Sequence, residues 1–288
     1  HAGEHKQEMQ DWGFVDARET TGPSESLLTD SLYTDHLAAR GLLDAHRQYF
    51  EMYLRGTRPY PWELPPTPLP TEDHLDVFIG RLAQEWINDC DNAEPFYLQV
   101  NFGGPHDPWD APPEYRSLYN PDDMPLSIRD QRTGPLSSHV ELLLKHAPNK
   151  LNKMGVAQNQ LLKANYYSKV TLIDDCVGRI LQTLEERNLL DNTWIVFSSD
   201  HGEMLGDHGL LAKKVFYEGA VKVPCLFRSP NGRGQGTAQA LTCHLDIVAT
   251  LIDICKARPL QDSDGQSVLP ILEGDSNHSQ RTAVLSEL

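Results

Sequence analysis

Thr193-Trp194-Ile195-Val196-Phe197-Ser198-Ser199-Asp200-His201-Gly202 is the stretch whose reading decides the fold class. Its first five residues are β-branched or aromatic and read as a short strand; the rest are polar or glycine, so the strand ends where chemistry begins. Ahead of it, Val170, Ile173, Val177, Ile180, Leu181 and Leu184 recur at helical spacing and predict a helix that stops before Asp191-Asn192. Beyond it, Val221–Phe227 predicts another strand, and Leu245, Val248, Leu251, Ile252 and Cys255 mark a last helix. Helices alternating with short apolar strands imply an α/β fold: a mostly parallel central sheet flanked by helices.

The same alternation extends upstream. Leu75, Phe78, Ile79, Leu82 and Trp86 give Glu72–Asp89 one buried helical face, and Phe96–Phe102 reads as a strand stopped by Gly103-Gly104-Pro105. The loop Pro105-His106-Asp107-Pro108 follows. Residues 110–158 are rich in Pro, Asp and Asn and read as a long excursion with one helix near Val140–Lys145, the kind of segment that lines a site. The proline cluster Arg58–Pro70 predicts an extended surface segment, since each proline removes a donor and restricts its predecessor. Residues 1–57 are polar apart from a helix expected over Thr34–Tyr53, and Ala283-Val284-Leu285 reads as a strand. The five cysteines are odd in number, lack C-x-x-C spacing and are expected as small core residues.

Twenty-five Lys and Arg against 41 Asp and Glu give a net charge of −16. That balance, with no dense basic run, excludes a cationic nucleic-acid footprint and argues against binding an anionic membrane surface. No run approaches the length of a membrane-spanning helix. The chain opens on His1 and stops within an apparent strand, so it reads as an excerpt of a longer protein.

Ligands of open α/β sheets bind beyond the carboxyl ends of strands, and two such ends here are His106-Asp107 and Asp200-His201. Asp200 offers a hard carboxylate oxygen and His201 an imidazole, and adjacent residues at a sharp turn can face one cation. The same residues also make a plain turn, with Asp capping a following helix and Gly supplying a positive φ. A second Asp207-His208-Gly209 precedes Lys213 and Lys214, either of which can meet an anionic substrate or stand solvated. His106 can serve as a general acid or as a hydrogen-bonded structural residue.

Taken in order, these segments resemble the sulfatase family of the alkaline-phosphatase-like superfamily. Gly104-Pro105-His106-Asp107-Pro108 is similar to its Pro-His-x-Pro loop, and Tyr166–Gly178 to its central helix. Ser199–Lys213, Tyr217-Glu218-Gly219, Val223-Pro224, Asp246–Leu251 and Ser286-Glu287 follow in the family's order. The resemblance implies that Asp200 and His201 ligate a divalent cation, usually calcium. It implies that Lys213, preferred to Lys214 by its distance from His-Gly, binds the sulfate oxygens. His106 would bind the ester and protonate the leaving alcohol.

The family's nucleophile is a formylglycine made from Cys or Ser in C/S-x-P-x-R, a motif this chain lacks, as it lacks the first paired aspartates and the Gly-Lys-x-His segment. The reading is therefore a partial catalytic domain over 1–288: 1–94 weakly matched, 95–258 the core with metal and substrate loops, and 259–288 the start of the carboxyl-terminal part. Nucleophile and further ligands are expected upstream, and the 288 residues alone are expected to be inactive. The implied substrate is a small-molecule or carbohydrate sulfate ester, and the resemblance favours an exported protein. Two alternatives stand beside it: a phosphonate monoester or phosphodiester hydrolase of the same superfamily, and a non-catalytic binding module that keeps the fold.

Overall fold

The computed structural model describes residues 6–22, 25–54, 61–128, 135, 137–146, 154–232, 235–275 and 281–287. In chain order its α-helices are α1 (Lys6–Asp11), α2 (Leu32–Ala39), α3 (Leu43–Leu54), α4 (Leu75–Asp89), α5 (Pro113–Arg116), α6 (Ser138–His146), α7 (Val156–Glu186), α8 (Glu218–Val221), α9 (His244–Ile254) and α10 (Leu269–Leu272). The strands are β1 (Ile195–Ser198) and β2 (Cys225–Arg228). The chain divides into two compact units, residues 1–131 with 145–187, and residues 132–144 with 188–288.

The first unit is built on α4 and α7. Gly80 of α4 permits a close approach, since a Cβ there would lie 3.1 Å from Cys176 Cβ of α7. α4 is buried on two faces. Leu75 and Phe78 pack with Tyr33, Leu37 and Leu69, while Val77 joins Ala111, Tyr115, Leu172 and Cys176. The sequence pattern captured only the first, because Gly80 and Ala83 on the second carry too little apolar surface to register as a stripe. On α7 the buried face runs through Leu162, Asn165, Ser168, Lys169, Leu172, Ile173 and Cys176, whereas Val170, expected inside, is exposed.

Three further expectations need correction. The helix expected over Thr34–Tyr53 is two helices, α2 and α3, broken at Arg40-Gly41, where Gly41 takes a φ of 70°. The proline cluster, described from Pro61 onward, lies at the surface on one side only: Glu63, Pro65, Pro68 and Pro70 are exposed while Trp62, Leu64 and Leu69 are buried, because prolines forbid helix but not burial of the residues between them. Of the five cysteines only Cys176 is fully buried; Cys225 and Cys255 are exposed, and all five are free thiols.

The second unit holds a two-stranded sheet in which β1 and β2 run antiparallel, Ile195 opposite Arg228 and Ser198 opposite Cys225. The mostly parallel sheet is therefore not what the described residues form. A parallel pair needs a crossover that returns the chain to the starting end of the first strand. Here residues 199–224 fold back on themselves, with Gly202 N–H donating to Ala220 O and Met204 N–H to Ala212 O, and so deliver β2 in the opposite direction. Phe96–Phe102 alternates half-buried and exposed as a strand should, yet it has no ladder partner among the described residues. Residues 281–287, where a strand was expected, are irregular. No described helix is long and apolar enough to cross a membrane.

Candidate active site

β1 ends at Ser198 and the chain turns through Ser199, Asp200 and His201 into irregular loop, so no helix follows for Asp200 to cap. Gly202 is required by proximity, not by φ: a Cβ there would lie 2.1 Å from Gly219 O. Asp200 Oδ1 accepts the His201 N–H at 2.9 Å. His201 Nδ1 stands 2.8 Å from Gly202 O, and a carbonyl can only accept, so Nδ1 carries the hydrogen. In the neutral ring Nε2 then presents its lone pair 3.4 Å from Asp200 Oδ2. Two acceptors at that separation repel unless a cation, either a proton on the ring or a metal ion, lies between them. The contact is an ion pair if the ring is protonated, and the two atoms could hold one metal ion if it is not. No group of three or more His, Cys, Asp or Glu arranged to hold a metal exists among the described residues.

The loop beyond is held in an unusual shape. Leu205, His208 and Ala212 all take left-handed φ values of 46°, 55° and 66°. Such backbone costs free energy and persists only where surroundings over-determine it. The surroundings are identifiable: Glu203 Oε1 accepts from Leu205 N–H at 3.2 Å and Ala212 N–H at 2.6 Å. His208 stacks on Tyr217 with ring centroids 4.2 Å apart. Val140, Leu143 and Leu144 of α6 pack on Met204, Leu210, Val215 and Ala220, so the excursion before α7 does supply a wall to this loop. His139 donates to Lys214 O at 2.8 Å. Lys213 is half-buried and Lys214 exposed, which separates two residues that spacing left nearly equivalent.

His106 belongs to the first unit. Its Nδ1 lies 2.9 Å from Asp107 O and 3.0 Å from Asp107 Oδ1. Burial would push the Asp107 carboxyl up, but hydrogen bonds from His106 and Tyr53 together outweigh it and bring the group down to about 2. Asp107 is therefore ionised at neutral pH beside the His106 ring.

Behind this loop lies a group that the sequence reading missed. Asp76, Asp110, His74 and Lys169 are all buried, around a small cavity of about 20 Å³ that Tyr33, His46 and Thr67 also line. Burial would raise the Asp110 carboxyl, yet Lys169 and His74 hold it well below the usual range. Burial would lower Lys169, yet Asp110 and Asp76 raise it. One signal was available: Lys169 sits three, four and seven residues before Leu172, Ile173 and Cys176, which places a lysine on an apolar stripe.

A family model, Sulfatase, matches residues 18–257. The chain belongs to the sulfatase family. It is 28% identical over 217 residues to N-acetylglucosamine-6-sulfatase of Bos taurus, which covers 75% of this chain and 38% of that protein. It is 31% identical over 209 residues to choline-sulfatase of Rhizobium meliloti, covering 68% of this chain and 38% of that one. Among solved structures it is similar to the phosphonate monoester hydrolase of Agrobacterium radiobacter, with a TM-score of 0.72, 25% identity, and coverage of 86% of this chain and 52% of that one. The chain thus spans 38% of the length of these curated relatives. Its fold is alkaline-phosphatase-like at the level of these neighbours, although the described residues contain only the two-stranded sheet.

Proposed function

We propose that the intact protein hydrolyses a sulfate ester of a small molecule or carbohydrate, with Asp200 and His201 as two ligands of a divalent cation, calcium in our reading. The observation that carries this is His201 Nε2 standing 3.4 Å from the Asp200 carboxylate at the end of β1, ahead of a strained loop, in a sulfatase-family chain. A cation bound there would supply positive charge against the sulfate oxygens. The chain's own residues act around it. Lys213 neutralises charge on the transferring sulfuryl group, and His106 binds the ester and gives a proton to the departing alcohol oxygen. Asp107 keeps His106 Nδ1 engaged, so the proton is transferred from Nε2. None of the cysteines or serines stands in C-x-P-x-R or S-x-P-x-R, so a formylglycine does not fit any residue of this sequence.

A second reading, phosphonate monoester hydrolysis, is favoured by the TM-score of 0.72 to an enzyme of that name. Turnover of 4-nitrophenyl sulfate and of a nitrophenyl phosphonate monoester by the intact protein with calcium separates the two. We expect kcat/KM to favour the sulfate by at least about tenfold; the reverse preference would replace the first reading with the second.

A further inference from the structure

The buried ions behind the His106 loop bind the loop's own backbone. The Lys169 ammonium lies 3.1 Å from Asp110 Oδ1 and 3.6 Å from Asp76 Oδ2, and donates to Pro108 O at 3.3 Å. Asp76 Oδ1 accepts the Gly104 N–H at 2.8 Å. Residues 104, 108 and 110 are thereby fastened to one lysine and its two carboxylates, and they bracket His106 and Asp107. Two more bonds stiffen the span, Trp109 Nε1 to Pro105 O at 3.0 Å and Arg116 to Trp109 O at 2.7 Å. A Cβ at Gly104 would lie 2.7 Å from Asp76 Oδ2 and 2.9 Å from Ile173 Cδ1, so a larger residue there would displace either those side chains or the loop.

The contrast in exposure is informative. Lys169 and Asp76 are 4% and 1% exposed, while the His106 side chain is 52% exposed. Buried ion groups seldom repay their desolvation as stability, and apolar residues of similar size would fill this volume. What an apolar trio could not do is hold a backbone N–H and a carbonyl on either side of one exposed histidine.

We propose that Lys169, with Asp76 and Asp110, is a positioning cluster that fixes the His106 ring where it protonates the leaving alcohol. This rests on the general-acid reading of His106 above. A residue of this kind moves the proton-transfer step more than it moves the rest of the reaction, because a small displacement of the acid penalises only the oxygen that needs the proton.

The test measures kcat/KM of the intact protein on sulfate esters running from 4-nitrophenyl sulfate, whose leaving group needs no proton, to an alkyl sulfate, whose leaving group does. Three proteins are compared with the parent: His106→Ala, Lys169→Met, and the charge-balanced pair Lys169→Gln with Asp110→Asn, which leaves fewer unpaired charges if Lys169→Met fails to fold. We expect Lys169→Met, or the pair in its place, to lose about a hundredfold on the alkyl sulfate and less than about threefold on the nitrophenyl ester, following the slope of His106→Ala. An equal loss on all esters, or no loss, in a folded Lys169 variant whose His106→Ala counterpart is graded overturns the positioning role and leaves the His106 reading standing. A uniform loss in His106→Ala overturns that reading and the proposal with it. Failure of both Lys169 variants to fold also overturns it, because the cluster would then hold the unit together, not the loop in place.

Discussion

His46 shows how a single buried ring makes the first unit sensitive to pH. It is 4% exposed and paired with Ser26 Oγ at 2.8 Å, and burial lowers it from 6.5 to about 4. The unfolded chain therefore binds the proton more tightly than the folded one. The stability due to neutral His46 is complete above pH 6.5 and is lost as pH falls from 6.5 toward 4. The expected loss is about 2 kcal/mol at pH 5, read as the difference in urea midpoint slopes between the parent and His46→Gln; parallel pH profiles for the two would exclude it. Lys213→Ala should act differently from any change at His106, lowering kcat/KM by about a hundredfold on every ester, good leaving group or poor. A loss confined to poor leaving groups would place Lys213 in proton transfer instead. Asp200, His201 and Lys213 could be singled out as candidates from the sequence because they lie along one loop. Lys169, Asp76 and Asp110 were not, because three distant segments must fold before their charges meet.

At the scale of elements, the α4–α7 contact is the first unit's main seam. Gly80→Leu would force a side chain against Cys176, where even a Cβ has only 3.1 Å, so we expect about 1–3 kcal/mol of destabilisation by urea unfolding. Unchanged stability would mean that the helices part without cost. Periodicity revealed α4 and α7 because each buries branched residues at helical spacing, and it revealed α9 although Leu245 and Val248 of that stripe are exposed and its buried residues are Asp246 and Thr250. It joined α2 to α3 because one left-handed glycine, Gly41, interrupts the chain without interrupting its apolar content. The direction of β2 was hidden for another reason: strand composition records burial, whereas parallel or antiparallel pairing depends on how residues 199–224 turn, and that turn rests on Glu203 and a few backbone bonds.

For the molecule as a whole, family membership rests on the sulfatase match across residues 18–257, with 28% identity over 217 residues to a curated relative. With a net charge of −16, recognition of the proposed anionic ester would fall to local basic groups such as Lys213. In the proposed function, Asp200 and His201 share a divalent cation on which sulfate ester hydrolysis depends. Its most direct test is elemental analysis of calcium in the intact protein and in Asp200→Ala, purified alike, with circular dichroism to confirm folding and 4-nitrophenyl sulfate turnover measured on the same samples. Folded Asp200→Ala is expected to lose bound calcium and at least about a thousandfold in turnover together, since a lost carboxylate removes both a ligand and its charge. A folded Asp200→Ala that keeps the parent's calcium and activity would contradict the proposed function.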